Sequence, residues 1–432
     1  MRIRSSFALA ATTVMLVVAC GGTGTTPAPA TTTPATPKAS TAVTPTTVPA
    51  TPTAVAATPT APAATPTTGA TTPPASESAP PATTGPSFTT WKIGVVTDVG
   101  TVNDKNFNQY SYEGAKLGAH NIGAADPQFE VPTSSNEYAP DIQTFVSQGY
   151  NLIVTVGFNL NTDTLNAAKA NPGVWFVGVD QNACVDATGA PDTTFACAGD
   201  ASKLLPNFIG LQYQEDQAGY LAGIVSGSIS KNKNVAAIGG INSVPAVVRY
   251  IQGFQLGAMS VDSKMKVDIG YVSTSDFTVA FGNPGAGKDY ADQFIQTNHP
   301  DVVFQVAGNT GNGILESTCN NGLYGIGVDV DEWLSLGADT NAKYNCIVTS
   351  AEKHLSSSVA STIQQLYLGK ALGQDALGSL HFNAANAGIG ISPEHDTKGL
   401  ITADIQTLLD TATAGMAAGT LTTCPTNCGS AQ

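Results

Sequence analysis

The sequence predicts an α/β protein with two similar lobes, each built on a parallel sheet and joined by a hinge. Three observations predict it. Short apolar runs alternate with helical patterns from about residue 90, and repeated strand–helix units give parallel strands with right-handed crossovers. The series restarts near Glu215. Residues 89–432 also form a longer chain than one core usually serves, which suggests two lobes.

In the first series, the apolar run Ile93–Thr97 predicts the opening strand. Residues 104–120 read as a helix, with Phe107, Tyr110, Gly114 and Leu117 at spacings of three and four. A strand at 129–132 follows, then a helix at 138–148 that Gly149 ends. Residues 152–156 form the third strand, 161–170 a helix, and 174–179 a fourth strand ending at Asp180. A shorter strand at 208–211 completes the series.

The second series opens with a helix at 215–228, rich in small residues. A strand at 234–238 runs into the turn residues Gly239, Gly240, Asn242 and Ser243. Helix 245–259, strand 267–272, helix 288–296, strand 302–307 and helix 311–320 follow in turn. Strand 325–328 ends at Asp329, strand 346–349 comes next, and 355–367 is a last long helix. In open α/β sheets ligands bind beyond the carboxyl ends of the strands, and a cleft between lobes is a preferred site.

The chain's ends describe its setting. Arg2 and Arg4 precede an apolar run at 7–18 that is too short for an ordinary membrane span. Ala19, Cys20 and Gly21 then resemble a bacterial lipobox, in which the cysteine is lipidated and becomes the new N-terminus. Residues 1–20 are therefore expected as a lipoprotein signal peptide. Residues 21–88 are almost entirely Thr, Pro, Ala, Val, Ser and Gly, and so cannot bury a core. They read as an extended tether between a lipid-anchored Cys20 and a globular body on the extracytoplasmic face.

The formal charge of −14 argues against electrostatic binding of nucleic acid or anionic lipid. Beyond Cys20 six cysteines remain: Cys184, Cys197, Cys319, Cys346, Cys424 and Cys428. An even number in an exported protein suggests disulfides, and pairing of neighbours is the simplest scheme. No histidine stands at ligand spacing from these pairs, so no zinc or other metal site is expected. Gly282 to Asp289 nearly spells a phosphate-binding loop, but Asp289 replaces the Ser or Thr that would hold Mg²⁺. No nucleophile–base pair emerges, so neither an enzyme nor a cofactor is expected.

Four segments carry a resemblance to a known family. The first runs from Val96-Thr97-Asp98 through Asp104-Lys105-Asn106-Phe107-Asn108-Gln109. The second is Gln214 to Gly223. In the third, Ile238-Gly239-Gly240 precedes Pro245, Arg249 and Gly253-Phe254. The fourth joins Gly327-Val328-Asp329-Val330-Asp331 to Thr349-Ser350-Ala351-Glu352-Lys353. In order and spacing these resemble the basic membrane protein family of bacterial lipoproteins. The resemblance implies a substrate-binding protein of an ABC importer with the type I periplasmic-binding-protein fold, two Rossmann-like lobes and a hinge. It also implies a purine nucleoside as ligand, an ABC permease as partner and a monomeric state. The alternatives are another small solute in the same fold, such as a sugar, nucleobase or signal molecule, or an exported nucleoside-processing enzyme.

The expected lobes are 89–212 with about 350–375, and 213–349 with about 376–400, followed by a C-terminal helix and cysteine-containing tail at 401–432. The family's base-stacking aromatic falls at Phe107, and its base-contacting position resembles Asp180. Asp98 ends the first strand and Asn108 follows Phe107, so both are placed to hydrogen-bond a ligand edge. Asp104 suits a helix cap. Asp329 is expected to accept from vicinal hydroxyls of a ribose and Lys353 to donate to the same group, each charge offsetting the cost of burying the other. Gly308 offers close backbone approach to the sugar. One departure stands out. The family carries a second aromatic on the loop after the second lobe's first strand, where this chain has Gly240 to Pro245 and no ring. Val244 is expected to meet the base there instead.

Overall fold

The computed structural model describes residues 91–429. The expected signal peptide, Cys20 and the tether lie outside the described residues. Two six-stranded sheets organise the chain. The first series is β1 (Ile93–Thr97), α1 (Phe107–Asn121), β2 (Gln128–Glu130), α2 (Tyr138–Ser147), β3 (Leu152–Val156), α3 (Asn161–Ala170), β4 (Trp175–Val179), α4 (Ala201–Leu204) and β5 (Phe208–Tyr213). The second begins with α5 (Glu215–Ile229), β6 (Asn234–Gly239), α6 (Pro245–Val261), β7 (Lys266–Tyr271), α7 (Phe277–Phe281), α8 (Pro284–Asn298), β8 (Val302–Val306) and α9 (Gly308–Asn320). It continues through β9 (Tyr324–Asp329), α10 (Glu332–Ser335) and β10 (Ile347–Lys353). The chain closes with α11 (Leu355–Tyr367), β11 (Ser379–Phe382), β12 (Ile389–Ile391) and α12 (Ala403–Ala417).

The strand orders are β11-β5-β4-β3-β1-β2 and β12-β10-β9-β8-β6-β7, so the two lobes repeat one topology. Every ladder is parallel except β10 with β12. Central strands such as β1, β3 and β8 are buried along their whole length, which explains their unbroken apolar runs.

These pairings revise the expected lobe boundaries. Ser379–Phe382, assigned to the second lobe, pairs with β5 in the first sheet. Residues 350–353, assigned to the first lobe, extend β10 in the second sheet. Both edges are short segments whose side belongs to long-range pairing, which local pattern does not reveal. The helix expected from residue 104 starts at Phe107, because residues 101–106 form the turn that Asp104 ties to the helix.

Helices α5 and α6 pack backbone to backbone across glycines. A Cβ at Gly219 would lie 2.1 Å from the Tyr250 carbonyl oxygen, so only glycine permits this approach, which fixes Tyr250 at the cleft. The six cysteines pair as neighbours, Cys184–Cys197, Cys319–Cys346 and Cys424–Cys428. Among the described residues no helix is long and apolar enough to cross a membrane.

Candidate functional site

The carboxyl ends of β1, β3, β4, β8 and β9 converge on one cavity between the sheets. It encloses ≈ 670 Å³ free of protein atoms, part of it open to solvent. All eight residues expected at the ligand line it: Asp98, Phe107, Asn108, Asp180, Val244, Gly308, Asp329 and Lys353.

Lys353, at the end of β10, organises the floor. Its Nζ lies 2.6 Å from Asp180, 3.3 Å from Glu215 and 3.6 Å from Asp329, with the side chain 2 % exposed. Burial alone would pull the ammonium's pKa down, but the three carboxylates outweigh it and hold it above the ordinary lysine range. The same ammonium lies 5.0 Å from the centre of the Phe107 ring and 5.4 Å from that of Tyr213. The sequence reading put Lys353 with Asp329; its shortest contact is instead to Asp180 across the cleft.

Asp180 and Asp329 occupy equivalent places in the two lobes, at the ends of β4 and β9. Both have left-handed backbone, with φ of 58° and 65°. Non-glycine residues rarely adopt this conformation, and such strain clusters at functional sites. Asp180 accepts from Lys353 Nζ at Oδ2 and leaves a buried Oδ1 without a partner. Burial raises its pKa to about 6 despite the adjacent ammonium. Asp329 accepts from the Tyr250 hydroxyl at 3.1 Å, and burial likewise raises it, opposed by Lys353.

On the first-lobe side, Asp98 accepts from the backbone N–H groups of Val99 and Asn159. Desolvation nevertheless lifts its pKa to about 7. Space for this carboxylate comes from Gly157, where a Cβ would fall 2.2 Å from Asp98 Oδ2. Asn108 donates to the Val99 carbonyl at 2.7 Å and leaves a buried Oδ1 unpartnered. Asp104 lines the wall while accepting from the N–H groups of Asn106, Asn108 and Gln109. This is the capping role expected of it.

Several lining residues escaped the sequence reading. Phe158 and Phe281 each bring a ring, and Tyr250, Asn159 and Asn309 add polar groups. Phe281 matters most. No ring stands in the 240–245 loop, but Phe281 reaches the cavity from α7, where a Cβ on Gly240 would come within 2.6 Å of it. Its only sequence signal was a phenylalanine after the strand next to β6. Glu215 was hidden because an acid in the first turn of a helix looks like ordinary dipole compensation. It is wholly buried, and Arg249 at 2.6 Å with Lys353 overcomes the effect of burial to lower its pKa.

The near phosphate-loop segment has a structural role. Asn283 caps α8 by accepting from Ala286, and Lys288 pairs with Asp292. Among the described residues one group has metal-ligand spacing, Asp216 with Cys424 and Cys428, and its two sulfurs are already bonded to each other.

Four carboxylates and one ammonium make the lining rich in acceptors and hostile to anions. Such a cavity suits a neutral, partly flat molecule that donates hydrogen bonds. Aromatic and aliphatic walls supply the apolar contact.

Comparison with known proteins agrees with this architecture. The solute-binding protein of an ABC transporter system from Aeropyrum pernix K1 superposes with a TM-score of 0.59 at 19% identity, covering 76% of this chain and 92% of that one. Its counterpart from Conexibacter woesei DSM 14684 gives 0.56 at 22% identity, covering 77% and 98%. The fold is thus the type I periplasmic-binding-protein fold. A curated relative, the ABC transporter nucleoside-binding protein BmpA of Lactococcus lactis subsp. cremoris, is 30% identical over 329 residues, 73% of this chain and 85% of its own length. The Bmp family model, described as ABC transporter substrate-binding protein PnrA-like, matches residues 92–411. This chain therefore belongs to the Bmp family of ABC transporter substrate-binding proteins.

Proposed function

We propose that this protein captures a purine nucleoside between its lobes and delivers it to an ABC permease. The observation that carries this reading is the meeting of an aromatic wall with unpartnered carboxylate oxygen and a single ammonium in one buried cavity. Phe107 stacks on the base. Asp98, Asn108 and Asp180 accept from its N–H groups. Asp329 and Lys353 hold the ribose hydroxyls, with Gly308 allowing the sugar close to the backbone. Val244 and Phe281 cover the base from the second lobe. The excess of carboxylates disfavours nucleotides, whose phosphates would face like charge. The printed description of the lactococcal relative as nucleoside-binding supports the same class.

Closure drives the function. A ligand contacted by both lobes binds the closed form better and shifts the population towards it. Cys20 anchors the protein by lipid on the extracytoplasmic face, and residues 21–88 tether a monomeric body to it. A neutral sugar is the second reading, favoured by the loop at 240–245 that lacks a ring.

A thermal-shift screen tests the proposal. Guanosine, inosine and adenosine at millimolar concentration are set against ribose, glucose and free bases. A micromolar nucleoside adds about 4 kcal/mol of stability under these conditions. Phe107→Ala then weakens binding roughly tenfold or more, the loss expected for base stacking of about 1–3 kcal/mol. Stabilisation by a sugar alone selects the second reading.

A further inference from the structure

Neither Asn106 nor Glu332 lines the cavity, yet both are wholly buried and they meet across the cleft. Asn106 precedes α1 in the first lobe. Its Nδ2 donates to Glu332 Oε1 at 2.9 Å and to the Val328 carbonyl at 3.2 Å, both in the second lobe. Glu332 is held on its own side by Gln305 Nε2 at 2.5 Å and the Val328 N–H at 2.8 Å. Nearby, Asn312 Nδ2 reaches the Asp104 carbonyl from the second lobe at 3.3 Å. A wholly buried amide and carboxyl on opposite lobes, joined only when the lobes touch, have no use in an open cleft.

We propose that Asn106 and Glu332 form a closure latch behind the ligand cavity, an interlobe contact that favours the closed form without touching the ligand. Opening hydrates both groups; closing exchanges water for the Asn106–Glu332 bond. The latch sets how much of the empty protein is already closed, and so what fraction of the ligand's binding energy is spent on closure.

The latch also links closure to protons. Burial raises the Glu332 pKa to about 8, although Gln305, Val328 and Asn106 all donate to it. The titratable groups that face it are Asp329, Tyr110 and Tyr344, and none of these is a cation. Asn106, Gln305 and the Val328 N–H are all neutral donors, so no cation among them offsets the burial of a charged Glu332. Closing the empty protein therefore takes up a proton at Glu332 near neutral pH. Asp98 titrates at about 7 and Asp180 at about 6, so the Glu332→Gln variant, and not the pH window alone, identifies Glu332 as the source.

The test needs no ligand, so it stands or falls apart from the nucleoside assignment. Exposed Thr133 and Thr278 line a groove at the mouth from opposite lobes. Spin labels on bio-orthogonal side chains there, in the full chain, report the interlobe distance by pulsed EPR. The wild type holds a larger short-distance fraction at pH 7 than at pH 9. Asn106→Ala lowers the closed-to-open ratio about tenfold at pH 7, as expected for losing a hydrogen bond worth about 1.4 kcal/mol. Glu332→Gln stays closed and loses the change between pH 7 and 9. An Asn106→Ala protein with the wild-type ratio, or a Glu332→Gln protein that follows the wild-type pH course, overturns the latch.

Discussion

Replacing Lys353 by methionine keeps the reach of the side chain and removes its charge. Three carboxyl groups then share a desolvated floor that has lost its central cation: Asp180 at 2.6 Å, Glu215 at 3.3 Å and Asp329 at 3.6 Å from the lost ammonium. Only Glu215 retains a cation, Arg249. Removing one partner of a buried pair costs about 3–5 kcal/mol. A domain is stable by about 5–15 kcal/mol, so the loss is large. The same geometry predicts how the loss responds to pH. Asp180 and Asp329 already carry raised pKa values with Lys353 present, and without it they rise further. Acidification favours their neutral forms and returns up to about 1.4 kcal/mol per group and pH unit. Urea denaturation of Lys353→Met at pH 7.5 and pH 5 reads both effects. Adding Asp180→Asn to Lys353→Met returns stability, with a coupling of about 0.5–3 kcal/mol. A loss below about 1 kcal/mol at pH 7.5, or strictly additive variants, would refute the idea that Lys353 holds the floor together.

Other consequences follow from single groups. Asp98 has a pKa of about 7 against an ordinary 3.8, so the folded empty protein binds this proton more tightly than the unfolded chain. Its contribution to stability is greatest in acid, declines as pH rises from about 4 to about 7, and is flat above. Melting temperatures of the empty protein should show that decline, and Asp98→Asn should make it shallower; an unchanged slope would remove Asp98 as its source. Gly157→Ala forces a Cβ to within 2.2 Å of Asp98 Oδ2 at a φ of 111°. It should cost more than about 1 kcal/mol and weaken ligand binding, whereas Gly149→Ala, also at positive φ but with open space around it, should leave binding intact. Cys319–Cys346 joins residues 27 apart. Replacing both cysteines by serine should cost about 3–4 kcal/mol by the chain-entropy argument, read by urea unfolding, and no loss would argue against a constraining bond.

Much of the fold was legible because parallel strands buried on both faces, such as β1 and β3, leave unbroken apolar runs. The edge strands β11 and β12 left no such run, and their lobe follows from pairing alone. Asp180 and Asp329 were legible as site candidates because each ends an apolar strand in an α/β chain, where ligands bind. Their left-handed backbone was not, since no aspartate announces its φ. Phe281 and Tyr250 stayed hidden for a different reason: a ring on an apolar helix reads as core until the neighbouring elements are in place. Asn106 and Glu332 were invisible as a pair, because 226 residues separate them.

Titration calorimetry of the full chain with guanosine, inosine and adenosine tests the central claim most directly. The cleft as described predicts one nucleoside bound per chain at micromolar affinity or tighter, with Phe107→Ala and Asp329→Ala each weakening it tenfold or more. No heat with any nucleoside at millimolar concentration, beside tight binding of a simple sugar, would contradict it.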